Sequence, residues 1–183
     1  MPTLEQYLSR PLADRLHRLR TTPDDISAAL HGKNADVVCR RPDRENWSAR
    51  EIICHLRDVE ELFLTRFQTI LAIDEPKILT FAAPPEVLRQ WGIGEGVGHP
   101  LDPDRWADER QYARCDAGLA LVAFRRRRQE VVKLLDALSP DQWRRGGIHL
   151  QRGRLALDWW VASLAVHDDN HVDQMRRALD GRV

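Results

Sequence analysis

Trp47-Ser48-Ala49-Arg50-Glu51-Ile52-Ile53-Cys54-His55-Leu56-Arg57-Asp58-Val59-Glu60 decides how the rest of the chain is read. Ser48 and Glu51 form a capping box, in which each side chain satisfies a backbone amide that the first helical turn leaves free. Trp47, just outside the cap, is placed to staple onto Ile52. From there Ile52, Leu56, Val59, Phe63, Phe67 and Ile70 recur three and four residues apart. That spacing predicts one amphipathic helix between Trp47 and Asp74, with Pro76 forbidding much continuation. His55 sits among the stripe positions and so can point toward the interior.

Working outward, the same periodicity predicts a helix from about Ala117 to Leu138, with Leu121, Phe124, Val131, Leu134, Leu135 and Leu138 inward and Ser139-Pro140 as its stop. A further helix over Leu155 to Leu179 places Trp160, Leu164, His167, His171 and Met175 along one side. Upstream, Leu4 to Leu19 carries an apolar stripe, and Thr22-Pro23-Asp24-Asp25 looks like a cap with proline at the first helical position. The first helix is therefore expected to be broken or kinked near Pro23. The residues from Pro76 to Trp106, notably Trp91-Gly92-Ile93-Gly94-Glu95-Gly96-Val97-Gly98-His99-Pro100, read as a long irregular connection of the kind that covers sites. No alternating run of β-branched residues demands a sheet, and there is no internal repeat. The expected fold is all-α, a four-helix bundle with a long irregular connection between the second and third helices, in one domain over residues 1–183.

Composition narrows the function classes. The 28 basic and 28 acidic residues balance, so no overall field draws the chain to nucleic acid or to an anionic membrane. No apolar run approaches the ~20 residues of a membrane span, and Met1-Pro2-Thr3-Leu4-Glu5 does not open a basic-then-apolar leader, so the expected location is the cytoplasm. Cys39, Cys54 and Cys115 are odd in number and lack C-x-x-C pairing, which reads as three free thiols and argues against a thiolate zinc site.

The chemistry lies in the histidines. In Val166-His167-Asp168-Asp169-Asn170-His171 two imidazoles stand four residues apart, on nearly the same side of a helix, so both can reach one ion. His55 from another helix would complete a facial triad with open positions for water or substrate.

These residues, together with His167-Asp168-Asp169-Asn170-His171-Val172-Asp173-Gln174-Met175, the Trp143 turn, Gly147-Ile148-His149 and a helix bearing Phe124-Arg125, resemble the DinB-like (DinB/YfiT-like) superfamily over nearly the whole chain. The resemblance implies a four-helix bundle with a three-histidine site for a divalent metal: His55 from the second helix, His167 and His171 from the last. For activity it implies a range, since related proteins include thiol-dependent S-transferases, a mycothiol-dependent isomerase and hydrolases. It also makes a homodimer an expectation.

Other residues carry competing readings. Asp58, one turn after His55, is a candidate to orient a ligand ring or take a proton, against simple solvation. Asp168 and Asp169 are weaker candidates, because neighbours of His167 point away from it. Glu60 and Glu61 are read as solvent-facing or paired with arginines. His149, after Gly146-Gly147, is read as a surface histidine, with the site entrance as the alternative; His17, His31 and His99 are unassigned. Arg125-Arg126-Arg127-Arg128 fans around a helix and is mostly a solvated face, although Arg125 or Arg128 could turn inward to hold an anionic substrate group. Trp159-Trp160 supplies packing area first and a pocket wall or oligomer contact second.

The expectation for function is a metal-dependent enzyme acting on a small molecule by hydrolysis or thiol transfer, possessing zinc or nickel first and manganese or iron next among the cations imidazoles accept. A low-molecular-weight thiol would be the co-substrate in the second case. The alternative is a non-catalytic bundle that binds metal or ligand for sensing or interaction.

Overall fold

The computed structural model describes residues 2–81, 83–93 and 101–183. A capping box of Thr3 and Gln6 opens α1 (Leu4–Ser9), and Pro11 precedes α2 (Leu12–Leu30). The break expected near Pro23 thus falls at Pro11, and α2 continues through Pro23. A proline inside a helix deprives the carbonyl four residues back of its donor. Here that carbonyl belongs to Leu19, and Arg128 Nη1 donates to it at 2.7 Å. The replacement donor comes from a distant part of the chain, so local spacing could not foresee the continuity.

After α3 (Ala35–Cys39), α4 (Ala49–Ala72) starts with the expected box, Glu51 Oε2 accepting from Ser48 N–H at 2.9 Å. Its far end is closed by Arg145, which donates to the carbonyls of Ile70 at 2.8 Å and Ile73 at 2.7 Å. The connection that follows is more regular than its sequence suggests, holding β1 (Lys77–Ile78), α5 (Pro85–Gln90), α6 (Pro103–Glu109) and a 3-10 turn over Tyr112–Arg114. Residues 94–100, His99 among them, lie outside the described residues. Then come α7 (Ala117–Asp136), α8 (Pro140–Trp143), β2 (Gly146–His149), β3 (Gly153–Ala156) and α9 (Leu157–Leu179).

The all-helical expectation needs a correction, because β1, β2 and β3 form a small sheet in that order. β1 runs parallel to β2, with Ile78 opposite His149, and β2 pairs antiparallel with β3. Strands of two and four residues are too short to display alternation. Gly146-Gly147 also looks like a turn, yet a Cβ on Gly147 would lie 2.5 Å from Ile78 Cγ1, so glycine is what lets β1 lie close against it.

The four long helices close a ring, with α4 against α7 and α9, and α2 against the same two. Their apolar faces form two clusters. One gathers Leu19, Val59, Phe63, Val131 and Leu164; the other gathers Ile26, Ile52, Leu56, Phe124, Val172 and Met175. Where the clusters meet, every long helix contributes a polar group: Thr22 from α2, His55 and Glu60 from α4, Arg128 from α7, and His167, Asp168 and His171 from α9. This polar layer positions the site. No described helix is long and apolar enough to cross a membrane.

Candidate metal centre

The capping box fixes where α4 begins and so where His55 sits on it; α9 carries His167 and His171 one turn apart on the side that faces α4. One ring nitrogen from each of the three lies within 4.8 Å of the others, with His55 buried and the other two half-buried. Nε2 of His55 and Nε2 of His167 are 3.1 Å apart. At that distance two lone pairs repel unless a proton or a cation lies between them. His171 Nδ1 meets Gln174 Oε1 at 2.8 Å; since the amide oxygen only accepts, the imidazole proton sits on Nδ1 and Nε2 keeps its lone pair.

Burial drives the titration of all three. It pushes His55 down to about 3, with His171 adding to the effect. His167 falls well below its ordinary value through burial, then through its histidine neighbours and Arg128 and Arg66. For His171, burial outweighs the opposing pull of Gln174 and Asp168. Neutral imidazoles are what a cation requires of its ligands. Two zinc–nitrogen bonds of about 2.0–2.1 Å at a tetrahedral angle put their nitrogens about 3.3 Å apart, close to the 3.1 Å observed. The residues fit a divalent cation. One feature departs from common practice: among the described residues Nδ1 of His55 and of His167 are buried without a hydrogen-bond partner, and of the three rings only that of His171 is held there by an outer acceptor.

Aromatic rings wall the cluster. Trp47 lies 5.0 Å from the His55 ring and is stacked 6.5 Å from His171, while Phe81, from the long connection, stands 6.3 Å from His55 and edge-on to Trp106. A cavity of about 180 Å³ opens beside His167, lined also by Phe63, Arg66, Phe81, His149 and Trp160. A larger groove of about 620 Å³ between α2 and α7 holds none of the three histidines. Two of its arginines are already balanced, Arg20 by Asp136 and Arg125 by Asp24, so the smaller cavity is the one joined to chemistry.

The structure redistributes the other candidates. Asp58 is buried, but it accepts hydrogen bonds from Arg57 at 2.7 Å, Tyr112 at 2.7 Å and Arg110 at 2.7 Å, none from a histidine. Burial would raise its carboxyl; those three donors outweigh burial and hold it below the usual range. Asp169 accepts from Tyr7 and Arg18, and Asp168 from Arg128 and Thr22. Arg125 donates to Pro23 O, Asp24 and Ser27 on α2, outside the cavity. Arg128 does turn inward, but for structure: its five N–H groups go to Glu60 twice, Asp168 twice and Leu19 O. Burial works against its charge, and Asp168 and Glu60 outweigh it, raising the guanidinium above its ordinary range. Glu60 is thus paired as expected but buried, not solvent-facing.

His149 is the other correction. It is 8% exposed, edge-on to Trp159 at 5.7 Å and 5.9 Å from Trp160. The β2 strand carries it inward instead of leaving it on a surface turn. Its Nδ1 accepts from Gln151 N–H at 3.1 Å, which puts its proton on Nε2. The tryptophan pair is a pocket wall, as its second reading had it. Sequence reasoning missed Gln174 and Arg66. Gln174 follows His171 by three residues, a spacing at which helix neighbours touch, and that signal was available.

A family model described as the DinB superfamily matches residues 18–175. Among solved structures, the chain is similar to YfiT from Bacillus subtilis, described as a probable metal-dependent hydrolase with an unusual four-helix bundle topology. The identity is 16%, the match covers 97% of this chain and 88% of that one, and the TM-score is 0.73. No curated protein matches.

Proposed function

The chain belongs to the DinB superfamily, and on that premise we propose that it is a divalent-metal-dependent hydrolase of a small molecule, built on His55, His167 and His171. The observation that carries this reading is the convergence of three neutral imidazoles from two helices, two of their Nε2 atoms 3.1 Å apart, beside an aromatic-walled cavity. The description of YfiT as a probable metal-dependent hydrolase supports it. His55, His167 and His171 would hold the ion through Nε2, and zinc or nickel suits an all-imidazole set. When bound, such an ion supplies Lewis acidity, making water more acidic and a carbonyl carbon more electrophilic.

The chain's own residues do the rest. Gln174 fixes the His171 tautomer by accepting a hydrogen bond from its Nδ1–H. Phe81 and Trp47 keep bulk water from the imidazoles, which strengthens electrostatic interaction inside the cavity. His149 offers an Nε2–H to a substrate oxygen from the Trp160 side. This reading gives Asp58 no proton to carry, since Arg57, Tyr112 and Arg110 already donate to it.

The test is hydrolysis of a panel of esters, lactones and amides by full-length protein stripped of metal and then supplied with zinc or nickel. Turnover that needs metal, needs no added thiol and disappears in His55→Ala is the expected result. Turnover only with a low-molecular-weight thiol would replace hydrolysis by thiol transfer. Stoichiometric metal with no turnover across the panel would favour a sensing or binding role.

A further inference from the structure

Three of the described arginines are buried, and they are treated differently: Arg15, 6% exposed, pairs with Asp158 and donates to the carbonyls of Leu8 and Arg10. Arg128, 2% exposed, meets a carboxylate on each side. Arg66, 6% exposed, meets none among the described residues. Among the described residues only one of its five N–H groups, on Nη2, finds an acceptor, Leu79 O at 2.6 Å, and its buried Nε has none. Its guanidinium carbon lies 4.7 Å from the centroid of Phe63, 5.6 Å from Trp160 and 5.9 Å from Phe81. Ring faces attract a cation but do not accept its hydrogen bonds at carboxylate strength. Burial lowers the Arg66 pKa to about 10, which leaves the group cationic at neutral pH. A buried cation without an anion is costly, and its persistence calls for a partner.

The cavity supplies the place for one. Arg66 lines it together with His149 and His167. Trp160 touches both Arg66 and His149, and α9 runs from Trp160 to His167 in two turns, about 10 Å at 1.5 Å per residue. The cavity therefore holds His167, one of the three clustered imidazoles, together with the Arg66 guanidinium and the His149 Nε2–H donor, with aromatic walls around them.

We infer that Arg66 is the anchor for a carboxylate on the substrate, with His149 as second donor, so that the enzyme's substrates are small carboxylate-bearing molecules with an apolar or aromatic body. This deepens the metal-hydrolase reading and rests on it, because the anchor is placed to orient the far end of the molecule relative to the three imidazoles. Asp58, Glu60 and Asp168 do not compete for Arg66; their hydrogen bonds go to other residues.

The test uses benzoate and its neutral isostere benzamide, titrated calorimetrically into full-length protein with and without zinc. In the metal-free protein no cation at the histidines can hold a carboxylate, so a preference there reports on Arg66. Benzoate is expected to bind about tenfold tighter than benzamide, the scale of a charge-assisted hydrogen bond. Arg66→Met should erase the preference and leave zinc uptake unchanged, and Arg66→Lys should keep a reduced preference. Equal binding of the two probes, binding of neither, or a preference that survives in Arg66→Met overturns the assignment. Should the unsubstituted protein take up no zinc while the benzoate preference persists, the anchor stands and the metal reading falls.

Discussion

Two polar regions share the layer between the apolar clusters, and they follow opposite rules. Around Arg128 every donor meets an acceptor: five N–H groups, two carboxylates and the Leu19 carbonyl released by Pro23. Around the imidazoles, and among the described residues, Nδ1 of His55 and His167 lack partners, two Nε2 lone pairs converge, and Arg66 has no anion. The difference separates what holds the bundle together from what is left open for something else to complete. A saturated network has no valence to offer a ligand, whereas an unsaturated one pays for its incompleteness in stability.

The largest effect that can break this comparison comes from Arg128→Met. It strands Glu60 and Asp168 as buried carboxylates and should cost about 3–5 kcal/mol in urea unfolding. A loss as small as that of an exposed pair would erase the distinction between the regions.

Next in size is the acid response of the metal-free protein. The folded state keeps His55 neutral down to about 3, whereas the ordinary value is 6.5. The unfolded chain therefore binds more protons between those limits, so stability is full above 6.5 and declines as pH falls toward 3. Thermal melts across that range check it, and a flat profile would mean the imidazoles are not held neutral. Removing the outer partner of His171 is milder: Gln174→Ala should weaken metal binding about tenfold, read by competition with a chromogenic chelator, while leaving the melt in place. Smallest is Arg126→Ala, only two residues from Arg128. Its side chain is 82% exposed and its contact with Glu130 is 3.3 Å, so no measurable change in Tm is expected.

The same contrast explains what the sequence could disclose. The ends of α4 were legible because a capping box and a following proline are local signals, and the histidines were legible because His-x-x-x-His is a helix-face spacing. The saturated network was not. Arg128 sits in a run of four arginines, and its partners come from α4 and α9. Its signal was positional: with Phe124, Val131 and Leu135 it falls on the buried stripe of α7, where a solvated arginine should not be. Arg66 gave the same sign among Phe63, Phe67 and Ile70. Pro23 misled for a related reason, since a helix can pass through proline when a donor from elsewhere satisfies the abandoned carbonyl. His149 was misplaced because a four-residue strand beginning with two glycines looks like a turn.

The central claim is that His55, His167 and His171 grip one cation. The direct measurement is metal content by mass spectrometry, on protein carrying no metal-binding tag, for the unsubstituted chain and His167→Ala after equilibration with zinc. One ion per chain is expected in the first and none in the second, with a cooperative thermal transition in both. Full metal occupancy in His167→Ala, or none in the unsubstituted protein, would contradict it.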